Sequence, residues 1–422
     1  MYLKKNILLF IFILFAFYSF IGTFHSAISF NWSFQDWLIN YEGGFVRRGL
    51  AGEFISFVSN NFFDPKEHLY FGIQIHSIYF FFISFFYLLY YSLLYFFLKN
   101  EEINFQNLFI ILSPLSLPFI IYNIGAIARK EILFFIILLS FIFLINFLKK
   151  KELSILFLIF FFPLTLLIHE GIFFFISIFV ILYLFEINTE NKKIILFCSL
   201  LFILTALVTF ILTISFMGNS IQVNQICSSL SAYPIKNCTG LSAIGMLSDP
   251  HSIKNEFNEL WTRAFKDKYL FYYPLFGLIG FFPLIKYSNN YCFDLSISNK
   301  VYNLNFFIIS VILFINTLPL YLFTHDWGRW LNITYILLMI TFFYLKKTKK
   351  IYMKRTENLQ STPINRSSGK KIILTIILLF YSTILSVSYF GGYTYWLHNY
   401  TKIDNYLKFC LNFLKTLPNL FY

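Results

Sequence analysis

The sequence predicts an all-α, polytopic integral membrane protein, and three observations carry that prediction. Of the 422 residues, 58% are hydrophobic and 13% charged, against about 25% charged in an ordinary soluble domain. The mean hydropathy is +0.69. Apolar runs also recur along the chain at the length a helix needs to cross a hydrocarbon core of roughly 30 Å, about 20 residues. The 60 Phe, together with the many Ile, Asn, Lys and Tyr, fit the composition that an AT-rich genome produces, so single phenylalanines carry little functional weight.

In chain order the runs are 6–29, 69–98, 105–122, 132–148, 153–168, 171–185, 194–216, 269–285, 302–323, 330–345 and 372–390, about eleven helices in a single membrane domain. The first follows the short basic segment MYLKK and has no small-residue cleavage site, which reads as a retained signal anchor. No internal repeat and no separate soluble domain stand out.

Orientation follows from where Lys and Arg collect. Lys4-Lys5, Lys99, Lys149-Lys150-Lys151, Lys192-Lys193, Lys286 and KKTKKIYMKR at 346–355 fall in alternate loops. These are assigned to the cytoplasm with the N-terminus, and the basic loop 346–371 belongs with them. The net charge of +13 is largely this bias, which removes the reason to expect a nucleic-acid partner. The opposite loops are then extracytoplasmic: about 30–68, 123–131, 169–170, 217–268, 324–329 and the tail after 391. The largest, 217–268, is long enough for a small lid. It holds Cys227 and Cys238, for which an oxidising face predicts a disulfide; two free thiols are the alternative.

Those outward loops hold four unusual clusters. In the first loop, 31–68, the stretch NYEGGFVRRGLAGE at 40–53 gathers two acids, two arginines and four glycines. Apolar residues at Leu38, Tyr41, Phe45, Leu50, Phe54 and Phe57 predict two short amphipathic interfacial helices, with Trp32 and Trp37 at headgroup level. The Gly43-Gly44 break would let backbone amides approach an anion, and Arg47 and Arg48 offer forked donors for phosphate oxygens. The plainer alternative is contact with lipid headgroups or a helix cap. The second cluster, Arg129-Lys130-Glu131, begins a span, where snorkelling is the ordinary explanation.

The third cluster, His169-Glu170, separates SILFLIFFFPLTLLI from GIFFFISIFVILYLF with hardly any turn-forming sequence. Charges that deep cost on the order of 2.5–3.5 kcal/mol each unless paired or facing a cavity. Burial is expected to raise the Glu170 pKa, as suits a general base, unless Arg129, Lys130 or Arg329 stands close; a hairpin tip is the alternative. The fourth, His325-Asp326-Trp327-Gly328-Arg329-Trp330, allows an i, i+3 pair between Asp326 and Arg329. It also fits a plain helix start with two interfacial tryptophans.

Taken together the loops offer Arg47, Arg48, Arg129, Lys130 and Arg329 beside Asp36, Glu42, Glu131, Glu170 and Asp326. Forked cations beside carboxylates, next to lipid, suit a lipid-linked phosphate or pyrophosphate. The order GGFVRRGL behind a first span, then RKE, HE and HDWGRW, resembles the O-antigen and capsule polymerases of the Wzy type. The layout of an early acidic outer loop with interfacial helices is also similar to lipid-donor glycosyltransferases of the GT-C fold. The likeness covers most of the chain in layout and some thirty residues in motif.

The resemblance implies transfer of glycan from a polyprenyl-diphosphate donor to a lipid-linked acceptor at the outer face of a bacterial cytoplasmic (inner) membrane. Arg47, Arg48, Arg129 and Arg329 would then clamp the diphosphate, with Lys130 in the same cationic patch. Asp36, with Glu42 close behind, would be the early-loop acid. His169, Glu170, His325 and Asp326 would bind the acceptor or move its proton. No cofactor is implied; a divalent metal is compatible with the GT-C alternative, which uses a polyprenyl-phosphate sugar. A chain-length regulator is a candidate partner beside lipid and the lipid-linked oligosaccharide. The rival classes are a lipid-linked glycan flippase, which would bury charge at the midplane and show paired repeats, and a non-catalytic assembly protein.

Overall fold

The computed structural model describes residues 2–29, 31–62, 76–101, 104–123, 127–148, 153–186, 192–230, 238–239, 242–248, 253–266, 269–297, 300–353, 368–383 and 387. The runs expected at 69–75, 384–386 and 388–390, the Lys149–Lys151 loop and the tail after 391 lie outside these residues. In chain order the helices are α1 (Tyr2–Ser29), α2 (Trp32–Asp36), α3 (Leu50–Phe62), α4 (His76–Leu98), α5 (Phe105–Ile111), α6 (Phe119–Tyr122), α7 (Glu131–Phe147) and α8 (Ser154–Ile168). Then come α9 (Ile176–Glu186), α10 (Lys192–Ser215), α11 (Ser220–Ser229), α12 (Ile253–Lys266), α13 (Tyr269–Ser288), the strands β1 (Tyr291–Ile297) and β2 (Lys300–Asn305), α14 (Phe307–Phe323), α15 (Trp327–Lys347), β3 (Tyr352–Met353) and α16 (Ser368–Thr383).

The chain is thus mostly helical. Among the described residues five helices are long and apolar enough to cross a membrane: Asn6–Ser29, Ile78–Leu98, Leu196–Ser215, Tyr269–Ser288 and Trp327–Lys347. Glu131–Phe147, Ser154–Ile168 and Phe307–Phe323 are apolar but shorter. Where the sequence suggests one membrane domain, the residues group into two compact units. The first comprises 1–101, 124–257 and 312–323, the second 102–123, 258–311 and 324–422.

In the first unit the long helices pack in succession, α1 on α4, α4 on α7, α7 on α8 and α8 on α10. Phenylalanine does much of the joining. Phe20 meets Phe80 between α1 and α4, and Tyr90 meets Phe135 between α4 and α7. Phe134 meets Phe162 and Phe179, and Phe162 meets Phe202 on α10. The same helices leave Phe10, Phe17, Phe81, Phe85, Leu196 and Phe197 exposed. Helices apolar all round, buried on one side and bare on the other, are what a lipid solvent permits.

The second unit corrects one expected span. Residues 105–122 do not form a continuous helix: α5 ends at Ile111, turns follow through Ser113–Pro118, and α6 resumes at Phe119. Pro114 and Pro118 remove two amide donors, and an apolar setting requires the exposed carbonyls to find other partners. The Tyr335 hydroxyl donates to Ile110 O at 2.8 Å and Asn332 Nδ2 to Leu115 O at 2.8 Å. On α13, Pro283 likewise leaves Ile279 O without its usual helical donor, and the Tyr381 hydroxyl supplies one at 2.9 Å.

The sequence reading also missed a three-stranded antiparallel sheet, order β2-β1-β3. It joins the segment after Lys286 to the start of the basic loop, pairing Cys292 with Asn305 and with Tyr352. The span expected from 302 therefore begins as strand and turns helical at Phe307.

Candidate functional site

The site grows from the short helix α2. Asn31 caps it, its side chain accepting from Phe34 N at 3.0 Å, and the five residues that follow end at a buried Asp36. The next residue corrects the sequence reading. Trp37 is fully buried rather than at headgroup level, and its Nε1 donates to Ala128 O at 2.7 Å; Trp32, by contrast, is 40% exposed. Two short helices do fall on the stretch 34–58, but as α2, which ends at Asp36, and α3; residues 37–49, which hold Leu38, Tyr41 and Phe45, are turns and irregular chain. Helix α3 lies close because Gly52 has no side chain: a Cβ there would stand 2.1 Å from Ile39 O.

Of the two glycines expected to open amides to an anion, Gly44 spends its amide within the turn. Gly44 N donates to Tyr41 O at 2.8 Å with φ at +95°, a turn that glycine adopts without steric cost. The turn delivers Arg47 and Arg48, and Arg47 N is fixed to Phe216 O at 2.8 Å.

Arg48 sits at φ +65° and Ala128 at φ +63°. A left-handed conformation costs a side-chain-bearing residue about 1–2 kcal/mol. Both carbonyls are held from across the fold: Ala128 O by Trp37, and Arg48 O by Lys130 Nζ at 2.7 Å. Lys130 is completely buried at the start of α7, with its Nζ 3.8 Å from Asp36 Oδ1. Each left-handed turn is thus held by a donor from a segment more than eighty residues away.

The Arg48 guanidinium closes the circuit. Nε donates to Glu170 Oε2 at 2.9 Å and Nη2 to Oε1 at 2.5 Å, while Nη1 stands 3.9 Å from Asp36 Oδ1. Arg47 Nη1 lies 3.6 Å from the same Glu170 oxygen. His169, which caps the 3₁₀ turn Glu170–Phe175, accepts from Gly171 N at Nδ1, 3.2 Å. Its proton therefore sits on Nε2, 3.7 Å from Glu131 Oε1.

The electrostatics follow from burial and these neighbours. Burial alone would push the Asp36 carboxyl up, but Lys130 and Arg48 outweigh it and hold it below the usual range. Burial likewise opposes ionisation of Glu170; the charge and hydrogen bonds of Arg48 reverse that and hold it well below the carboxylate range. The raised value that the sequence predicts for Glu170 is not found, because Arg48 stands beside its carboxylate. Burial lowers Lys130 to about 8 against the pull of Asp36. Burial, then Arg48, lowers His169 to about 3, so the imidazole is neutral near pH 7.

Three of the four clusters thus meet in the first unit. Arg129 contributes its charge to Asp36, whereas Glu42 is exposed and makes no ion pair to the cluster among the described residues. The fourth cluster belongs to the second unit. Arg329 Nη1 donates to Asp326 Oδ2 at 3.0 Å, the expected i, i+3 pair, and its guanidinium lies 4.7 Å over the Trp330 ring. Trp330 and Trp327 are buried rather than interfacial, Trp327 against Tyr269 and Tyr273. His325 is half-buried. Among the described residues no group of His, Cys, Asp and Glu could hold a metal ion.

The long loop after α10 covers the first cluster. Asn40 Nδ2 donates to Ser229 Oγ at 3.2 Å, Gln222 Nε2 to Phe45 O at 3.4 Å, and Ala243 N to Gln35 Oε1 at 3.1 Å. A disulfide joins Cys227, in the last turn of α11, to Cys238. Nothing in the sequence flags Gln35, Asn40 or Gln222, which are polar residues of ordinary loop composition.

No curated protein and no solved structure matches the chain significantly. One family model does, over residues 5–265, a stretch that takes in every residue of the three-loop cluster and ends before Asp326. With more than half its length matched, the chain belongs to the membrane-protein family described as "Uncharacterised membrane protein Rv1490".

Proposed function

We propose that the chain is a membrane glycosyltransferase of the surface-polysaccharide polymerase type, moving glycan from a polyprenyl-diphosphate donor to a lipid-linked acceptor at the extracytoplasmic face. The observation that carries this reading is the meeting of Arg47, Arg48 and Lys130 around Asp36 and Glu170, from three loops that are distant in sequence. Eleven passes, a cytoplasmic N-terminus and a bacterial inner membrane belong to the same proposal. What supports them is the Lys and Arg bias together with the mutual contact of four loops assigned outward, since loops that touch share a side.

In the reaction the acceptor hydroxyl oxygen bonds to the donor's anomeric carbon as the bond from that carbon to the phosphate oxygen breaks. The diphosphate leaves with the electron pair, and the hydroxyl proton passes to a carboxylate. Fixed guanidinium groups meet charge that grows on the leaving group, and one such donor is typically worth about 10²–10³ in rate. Asp36 Oδ1 is buried and accepts no hydrogen bond among the described residues, which suits it to receive a proton or to orient the group that does.

A second reading keeps the same residues. Asp36 lies just behind the first apolar helix, and this early acid favours a GT-C transferase that uses a polyprenyl-phosphate sugar, with which a divalent metal is compatible. Deletion of the gene separates the two. A polymerase leaves single repeat units on the lipid carrier, whereas a single-sugar transferase leaves a repeat short of one sugar. Wild-type chain restores the long glycan, and Asp36→Asn or Arg47→Ala does not. An unchanged glycan ladder in the deletion strain overturns both readings.

A further inference from the structure

We propose that Glu170 is an internal stand-in for phosphate: its carboxylate occupies the arginine fork in the resting protein and is displaced when a phosphate or diphosphate oxyanion binds Arg47 and Arg48. This rests on reading the cluster as a diphosphate site and adds how that site is kept occupied and opened.

The geometry separates a fixed part from a movable part. The side chains of Lys130 and Asp36 are 0% and 2% exposed, and Lys130 holds the Arg48 backbone through its carbonyl. Those groups form the floor. The side chains of Arg47, Arg48 and Glu170 are 24%, 23% and 14% exposed, within reach of a ligand from solvent. Glu170 presents two oxygens to the Nε and Nη2 edge of Arg48, with Arg47 on one of them. Two oxygens of a phosphate group take that same edge. No other hydrogen bond to the Glu170 carboxylate is found among the described residues, so only the arginines hold it.

The main chain around Glu170 is also suited to yield. It follows an extended His169 and opens a 3₁₀ turn, whose hydrogen-bond geometry is poorer than that of an α-helix. Among the described residues, ion pairs tie Arg47, Arg48 and Lys130 to Asp36 and Glu170, and withdrawing Glu170 removes one of those negative charges. The excess positive charge then suits an anion carrying more than one negative charge. An occupied fork also gives the half-buried arginines a counter-charge, which charge drawn out of water needs.

The test is titration of the full-length protein with inorganic pyrophosphate in zwitterionic nanodiscs and, as a second arm, in nanodiscs containing phosphatidylglycerol. Removal of the internal competitor in Glu170→Gln is expected to tighten pyrophosphate binding by about tenfold or more, or about 1.4 kcal/mol. Glu170→Asp, whose shorter side chain cannot span the fork, is expected to give a smaller gain in the same direction and serves if the glutamine variant does not accumulate. A gain that persists with phosphatidylglycerol present assigns the fork to a diphosphate; a gain abolished there assigns it to lipid headgroups, with the exchange intact. Wild-type binding that neither variant tightens overturns the exchange and leaves the diphosphate site standing. Absence of pyrophosphate binding in wild type and variants alike overturns both.

Discussion

The two arginine–carboxylate pairs, one in each unit, are built on opposite principles. Asp326 and Arg329 are three residues apart on the first turn of α15, so the helix itself brings them together. Arg48 and Glu170 are 122 residues apart, and they meet only because α1, α4, α7 and α8 are packed and two left-handed turns are locked. The local pair is a by-product of secondary structure. The distant pair is a product of the whole first unit, so its integrity reports on that unit's fold, and substitutions around it should be felt far more strongly.

The largest difference is expected at the buried cations. Lys130→Met removes the donor to Arg48 O and leaves Asp36 with less compensation, a loss of about 3–5 kcal/mol, read as a collapse of the unfolding transition in nanodiscs or of accumulation. Arg329→Met breaks a pair whose carboxylate is part-exposed, and a loss nearer 1 kcal/mol is expected. Equal losses would remove the distinction between the two pairs.

Trp37→Phe comes next. It keeps the ring buried but leaves Ala128 O without its donor, at about 1–3 kcal/mol, and the same unfolding measurement detects it. Arg48→Lys tests function more than stability. The charge stays, the fork is lost, and glycan transfer is expected to fall about 10²–10³-fold with the protein still inserted. Wild-type glycan length in that variant would reduce Arg48 to a structural clamp.

Acid should expose the distant cluster first. The unfolded chain protonates His169 near its ordinary value of about 6.5, whereas the folded chain keeps it neutral down to about 3. Asp36 and Glu170 are depressed as well and reinforce the same sign below the usual carboxylate range. In each window the unfolded state binds more protons, so stability falls as pH falls. Melting temperature is expected to decline from about pH 6.5 downward, and His169→Asn to flatten the upper part of that decline. A flat profile in wild type would contradict the burial of His169.

The same contrast between local and distant contacts explains what was legible in the sequence. Most of the apolar runs are helical where the structure describes them, and the Asp326–Arg329 pair follows from spacing, because both depend on residues within a few turns. The break at Ser113–Pro118 had its prolines in plain view. What could not be read was that Tyr335 and Asn332, more than two hundred residues away, would satisfy the freed carbonyls. The end of β2, YNLN at 302–305, reads as part of a span because Tyr302 and Leu304 lead straight into the apolar run FFIISVILF. Around the site, two local expectations were overturned by distant partners. Trp37 reads as interfacial by type but is a buried donor, and a raised Glu170 pKa is expected because nothing local announces Arg48. Gly44, in a pair that the sequence offers to an anion, has its amide taken up by the turn, and Gly52 serves close packing.

The central claim is that Arg48 meets Glu170 across the cluster that three distant loops form, and a double-mutant cycle on unfolding free energy tests it most directly. Arg48→Met, Glu170→Gln and the double variant are expected to show a coupling of about 1.5 kcal/mol or more, within the range found for residues in direct contact. The matching cycle at Asp326 and Arg329 should give less than about 1 kcal/mol. Additivity at Arg48 and Glu170 to within about 0.5 kcal/mol would mean that the two side chains do not meet, and the three-loop site would fall with them.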